Sequence, residues 1–211
     1  RGELVGGGVV SVGSISGGVL LDMATVTTAG GAITVTGKSG VAPAPGVTGV
    51  TRGVSIATGT SLGAGAGTLT ITGTTGNSSG INTAGVATDG TLTGANITIT
   101  GTADNSSQSS QTGVKLGGSI NGTNSVAITG SMTGQSGTGV QLASGTVNAG
   151  AGGLTINGSG SSSSVAASIE GISITGVASS SGAISMTGAI SVPTGNSASI
   201  HGFSMTGAGS V

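Results

Sequence analysis

The chain has 211 residues, 47 of them glycine, a single phenylalanine, no tryptophan, tyrosine or cysteine, and only four basic and five acidic side chains. Without cysteine there is neither a disulfide scaffold nor a thiolate metal site, and a net charge of -1 leaves no clustered cations for nucleic acid or an anionic membrane. A core assembled without aromatics must be thin.

Taken in chain order, residues 4–21 (LVGGGVVSVGSISGGVLL) are uncharged, but their glycines and serines place them far below the transfer energy of a spanning helix. They also lack the basic start, compact apolar run and cleavage site of a secretion signal. The chain starts at Arg1 without methionine, so it is expected to be a segment of something longer.

From there on the sequence repeats itself. An apolar-x-apolar-Thr-Gly motif, or a close variant, recurs at Ile33, Leu69, Ile97, Val126, Leu154 and Ile184. Successive starts are 36, 28, 29, 28 and 30 residues apart. Pro43 and Pro45 lie within the long first interval, and because proline cannot donate to a central ladder, the excess is expected as a loop insertion near 41–49. Single apolar residues precede the motifs by five to seven positions, at Val26, Leu62, Leu92, Ile120, Val147 and Val177. Pairs two apart precede them by more, at Val19 and Leu21, Val54 and Ile56, Val114 and Leu116, Val140 and Leu142, Ile172 and Ile174. In the least regular unit Ile81 and Val86 compete for a place, and Phe203 with Met205 opens one more round.

Each unit therefore holds three short segments of period two, too short for helices and suited to strands with one inward face. Three strands per coil of about 28 residues specify an all-β fold, a parallel β-solenoid of six to seven coils spanning residues 1–211 as one domain. A coil buries about five aliphatic side chains at roughly 1.5–3 kcal/mol each, while ordering its residues costs roughly 1–2 kcal/mol apiece. No coil stands alone; neighbours must share the ladder and the core. Glycine is expected at the corners, where positive φ is cheap without a Cβ.

With these units in view, GVKLGGSINGTNSVAITGSMTGQSGTGVQLASGTVNAGAGGLTINGSG (residues 113–160) resembles the repeats of filamentous-haemagglutinin-type exoproteins, including the high-molecular-weight adhesins of the two-partner secretion route. The likeness covers nearly all of residues 19–211 and is strongest over 53–160. It implies a right-handed parallel β-helix in a large extracellular or cell-surface rod of bacterial origin, which carries binding regions away from the cell and in some members is glycosylated.

Chemistry is sparse. The one histidine, His201 in SIHGFSMTG, matches Glu170 in SIEGISITG one coil earlier, and the two are expected to stack outside the strand as a weak charge pair. A triad needs a base beside a nucleophile, and glycoside chemistry needs carboxylates a few ångströms apart. Asp22, Asp89, Asp104 and Glu170 are dispersed along the chain, with only Asp89 and Asp104 as candidates for proximity. GKS at 37–39 lacks the glycine and the helix of a phosphate loop, GAGAG at 63–67 reads as a turn, and calcium-binding solenoid repeats need a regular aspartate that NAGAGGLTI lacks. Neither an enzyme nor a cofactor is expected.

Two surface features remain. Five Asn-x-Ser/Thr acceptors occur, at Asn77, Asn96, Asn105, Asn121 and Asn157, of which Asn77, Asn105 and Asn157 are expected in turns. If the motif's aliphatics point inward, Thr34 and Thr36, Thr70 and Thr72, Thr98 and Thr100 point outward as stacked pairs, a hydroxyl and methyl array able to order water as ice-binding solenoids do. The leading expectation is a stiff rod that presents or spaces binding surfaces, with surface glycans or proteins as partners. The alternatives are a fibre assembling end to end through unpaired strand groups and an ice-binding solenoid.

Overall fold

The computed structural model describes residues 3–6, 10–14, 18–39, 50–76, 83–105, 110–164, 168–194, 199–206 and 211, with side chains from residue 18 onward, Asn105 excepted. Every regular element in it is a strand, and every pairing is parallel. The chain winds as a parallel β-solenoid with three walls, A, B and C, visited in that order. The first coil is β1 (Glu3–Gly6), β2 (Val10–Ser14) and β3 (Val19–Leu21); the second is β4 (Thr25–Thr28), β5 (Ile33–Ser39) and β6 (Arg52–Ile56). The third is β7 (Ser61–Gly63), β8 (Thr68–Thr75) and β9 (Thr83–Thr88). In the fourth and fifth, one long strand covers walls A and B: β10 (Thr91–Asn105) before β11 (Gln111–Leu116), and β12 (Ser119–Gly134) before β13 (Gly137–Leu142). Between β10 and β12 the register slips at Gly94 to Asn96, where the chain turns the corner. The sixth coil is β14 (Thr146–Ala149), β15 (Gly153–Ser161) and β16 (Ile169–Ile174), and the seventh is β17 (Val177–Ser180), β18 (Ile184–Ser191) and β19 (Ile200–Met205).

Register confirms the repeat residue by residue. Val10, Ile33, Leu69, Ile97, Val126, Leu154 and Ile184 form one ladder on wall B. On wall C, Val19, Val54, Val86, Val114, Val140, Ile172 and Phe203 form another. Val86 therefore takes the contested place, with Thr88 following it in the column of Ile56 and Leu116; Ile81 lies outside the described residues. On wall A the column runs Val26, Leu62, Leu92, Ile120, Val147 and then Ala178. Val177, expected there, instead pairs with Thr146 and is exposed, because the seventh coil places its wall-A core residue one position later than the count suggests. These columns merge into one core from Val19 to Ala178.

The recurring glycines are not at the corners. A few corner glycines do adopt positive φ, such as Gly65 at 55° in the GAGAG turn. The Thr-Gly glycines of wall B (Gly37, Gly73, Gly101, Gly130, Gly158, Gly188) instead lie inside strands. They face a second column on wall C: Gly53, Gly85, Gly113, Gly139, Gly171 and Gly202. A Cβ on Gly101 would lie 2.1 Å from the Gly113 carbonyl oxygen, and one on Gly130 the same distance from that of Gly139. The two walls thus touch backbone to backbone, in a waist that only glycine permits. Beyond it lies a smaller core lobe, where Ala103, Met132 and Ile169 pack with Ile190 and Val192. Here Gly160 leaves the space that the Ile169 side chain fills.

Length variation is greatest at one corner. Connections from wall A to B and from C to A have at most four residues, whereas those from B to C range from two (135–136) to twelve (40–51). The insertion expected near 41–49 falls in the longest of these, and its residues lie outside the described ones. In the last coil Ile184, Phe203 and Met205 are in core register yet exposed, Phe203 by 44%.

Candidate functional site

On wall C the strands depart from strict alternation. In β11, Gln111 is buried, Thr112 is half-buried and faces out, Gly113 and Val114 both face in, Lys115 faces out and Leu116 faces in. Two successive inward residues push the backbone toward the waist and hollow the outer surface behind it. The same pattern in β6, β9, β13 and β16 extends the hollow into a groove of about 620 Å³ parallel to the solenoid axis.

Two outward rows flank it. One is Arg52, Ala84, Thr112, Thr138, Glu170 and His201; the other is Ser55, Ala87, Lys115, Gln141, Ser173 and Ser204. Ala84 and Ala87 make a small apolar floor, and both are buried. Arg52 donates from Nη1 to Ser55 Oγ at 2.9 Å, which ties the two rows together at one end. Thr138 Oγ1 donates to Glu170 Oε2 at 3.5 Å at the other. Ser110, Ser136 and Ser168 line the lip toward the B-to-C corner. Three of the chain's nine charged residues thus converge here, cations toward one end and a carboxylate toward the other. They are far apart in sequence, and only the coil register aligns them. The signal that could have revealed the groove is a glycine ahead of each wall-C aliphatic: GVSI, GVAT, GVKL, GVQL, GISI and GFSM.

The expected Glu170 and His201 partners are indeed in register on adjacent strands. Asp89 and Asp104, by contrast, are not brought together, since Asp89 follows β9 at the C-to-A corner and Asp104 lies near the far end of β10. Among the described residues no three His, Asp or Glu side chains gather as a metal site, and no helix is long and apolar enough to cross a membrane.

The threonine pairs stack on the outside of wall B: Thr34, Thr70 and Thr98 in one row, and Thr36, Thr72, Thr100 and Thr129 in the next. Structure adds a third row, Lys38, Thr74, Thr102 and Ser131, so the array is wider than the motif alone conveys. Ala127 interrupts the first row beside Thr98.

The asparagines fall into different settings. Asn121 lies in a wall-A ladder, donating from Nδ2 to Ser119 Oγ at 3.0 Å and accepting from Asn148 Nδ2 at 2.8 Å; Ser179 donates to Asn148 in turn. Asn96 Oδ1 accepts from Asn124 Nδ2 at 2.7 Å and from Ser125 Oγ at 2.8 Å. Asn157 is exposed within β15, between Thr129 and Thr187, on a strand and not in the expected turn. Asn105 is the last residue of β10, and Asn77 lies outside the described residues.

No family model, curated protein or solved structure matches the chain.

Proposed function

We propose that this chain is a stretch of a secreted or cell-surface bacterial exoprotein, of the adhesin type that its repeats resemble, working as a stiff rod that holds binding surfaces at fixed spacing. The observation that carries this reading is the unbroken parallel ladder: seven strands follow one another on wall C, and two seven-strand paths run through walls A and B. Six strand spacings of about 4.8 Å make a rod about 29 Å long, in which each coil is held by its neighbours. Two lateral surfaces are available for display, the wall-C groove and the wall-B hydroxyl array. Surface glycans or proteins are the partners this reading expects, with no catalytic step.

The test has two arms. Small-angle scattering of the purified chain is expected to give a rod of constant cross-section, and beads coated with it are expected to adhere to host cells or extracellular matrix more than beads coated with a denatured control. Equal adhesion by the two overturns the adhesin reading.

Two other readings have an observation each. The three threonine rows of wall B favour contact with ice, and thermal hysteresis of the purified chain tests this directly. The exposed Ile184, Phe203 and Met205 favour end-to-end stacking into a fibre, which electron microscopy distinguishes from single rods.

A further inference from the structure

The groove on wall C fits one class of ligand better than others. From Arg52 to Glu170 the outward row crosses four strand spacings, about 19 Å, so its occupant is extended. The side chains it offers are hydroxyls (Thr112, Thr138, Ser136), an amide (Gln141) and the cations Arg52 and Lys115 over a floor of alanine, with the carboxylate of Glu170 at the far end, which confines acidic substituents to the Arg52 and Lys115 end. With no aromatic on the groove there is no stacking platform for nucleobases. A peptide strand binds by adding to a free sheet edge or by filling apolar pockets, whereas these strands are paired on both sides by neighbouring coils. A polyhydroxylated chain matches groups that each donate and accept, and acidic substituents match the cations. Lys115 sits two coils beyond Arg52, about 10 Å along the axis, roughly the reach of two sugar rings.

We infer that the wall-C groove binds a linear acidic oligosaccharide along the solenoid axis, its anionic groups on Arg52 and Lys115 and its hydroxyls on Thr112, Thr138 and Gln141. This deepens the display reading above and rests on it. Carboxylated and sulfated sugars share the required chemistry, so the probes are a galacturonic acid hexamer, a heparin-derived hexasaccharide and neutral maltohexaose, titrated calorimetrically into the purified chain.

One or both acidic hexamers are expected to bind, and maltohexaose at least tenfold more weakly. Each of Arg52→Gln and Lys115→Gln is expected to lower affinity about tenfold, as for loss of one charge-assisted hydrogen bond. Arg52→Lys keeps the charge and is expected to recover most of the loss, which separates recognition from any effect of Arg52 on folding. Gln141→Trp fills the groove from a half-exposed position without changing charge and is expected to abolish binding while the far-ultraviolet dichroism stays that of the parent. Lys38→Gln, on wall B, is expected to leave affinity unchanged. If Lys38→Gln weakens binding as much as Lys115→Gln, or Gln141→Trp binds like the parent, the attraction is diffuse and the groove assignment falls. A chain that scatters as a rod but binds neither acidic hexamer also overturns the assignment and leaves the rod standing; a chain that scatters as a coil overturns the rod itself.

Discussion

Replacing Gly130 by alanine tests the glycine waist directly. The new Cβ would lie 2.1 Å from the Gly139 carbonyl oxygen and 2.7 Å from Val140 Cγ2, more than 1 Å short of ordinary contact with the first. That oxygen belongs to β13, which is paired with β11 on one side and β16 on the other, so it cannot swing aside alone and the two walls must part. Overpacking a core costs about 1–3 kcal/mol and occasionally more, and a 0.5–1 Å gap forfeits about a quarter to a half of the dispersion energy across it. Stiffening of the unfolded chain returns only about 0.4–1 kcal/mol. A net loss of about 2 kcal/mol is expected, read from urea unfolding followed by far-ultraviolet dichroism. Two other glycines calibrate the measurement. Gly76→Ala, whose Cβ meets nothing nearer than the Ser39 oxygen at 3.7 Å, is expected to stay within about 0.5 kcal/mol of the parent. Gly30→Ala has room, with its nearest neighbour at 3.9 Å, but a φ of +107°, and is expected to lose about 1–3 kcal/mol through backbone strain. If Gly130→Ala unfolds with Gly76→Ala, the walls do not meet as described.

Thr88→Val is expected to stabilise the rod by about 1 kcal/mol in the same assay, because Thr88 is 1% exposed in an otherwise aliphatic column and its Oγ1 has no hydrogen-bond partner. Leu154→Ala, fully buried at mid-core, is expected to cost about 2–5 kcal/mol, and a smaller loss would mean that its column is not continuous. Should thermal hysteresis be observed, Thr72→Lys and Thr100→Lys are each expected to abolish it by breaking the middle row of wall B, whereas Thr146→Lys on wall A is not. The double variant Phe203→Ser and Met205→Ser is expected to reduce any self-association seen by sedimentation, since both side chains are more than 40% exposed; unchanged association would place the contact elsewhere.

Much of this architecture was legible in the sequence because a solenoid reads out its own register. Once Ile33, Leu69, Ile97, Val126 and Leu154 are seen to recur, the period fixes which residues stack, and the ladder follows. Alternation likewise placed Thr34, Thr70 and Thr98 outside. What escaped was set between walls and not along them. The glycine of the Thr-Gly motif was visible as a motif, but its reason lies in a wall-C glycine from a different part of the coil, such as Gly113 facing Gly101. Val177 and Ala178 differ by one position, and counting alone cannot decide between them when coil length varies. Arg52, Lys115 and Glu170 carry no shared local pattern, so their meeting on one groove emerges only after each coil has been closed.

Coil length changes most at one corner, and that corner borders the groove. Residues can be gained or lost between walls B and C without shifting a single stacked pair, since each strand recovers its register on either side. Such a layout divides labour within every turn: two edges preserve the scaffold, and the third is free to diversify beside the surface where a partner would be met.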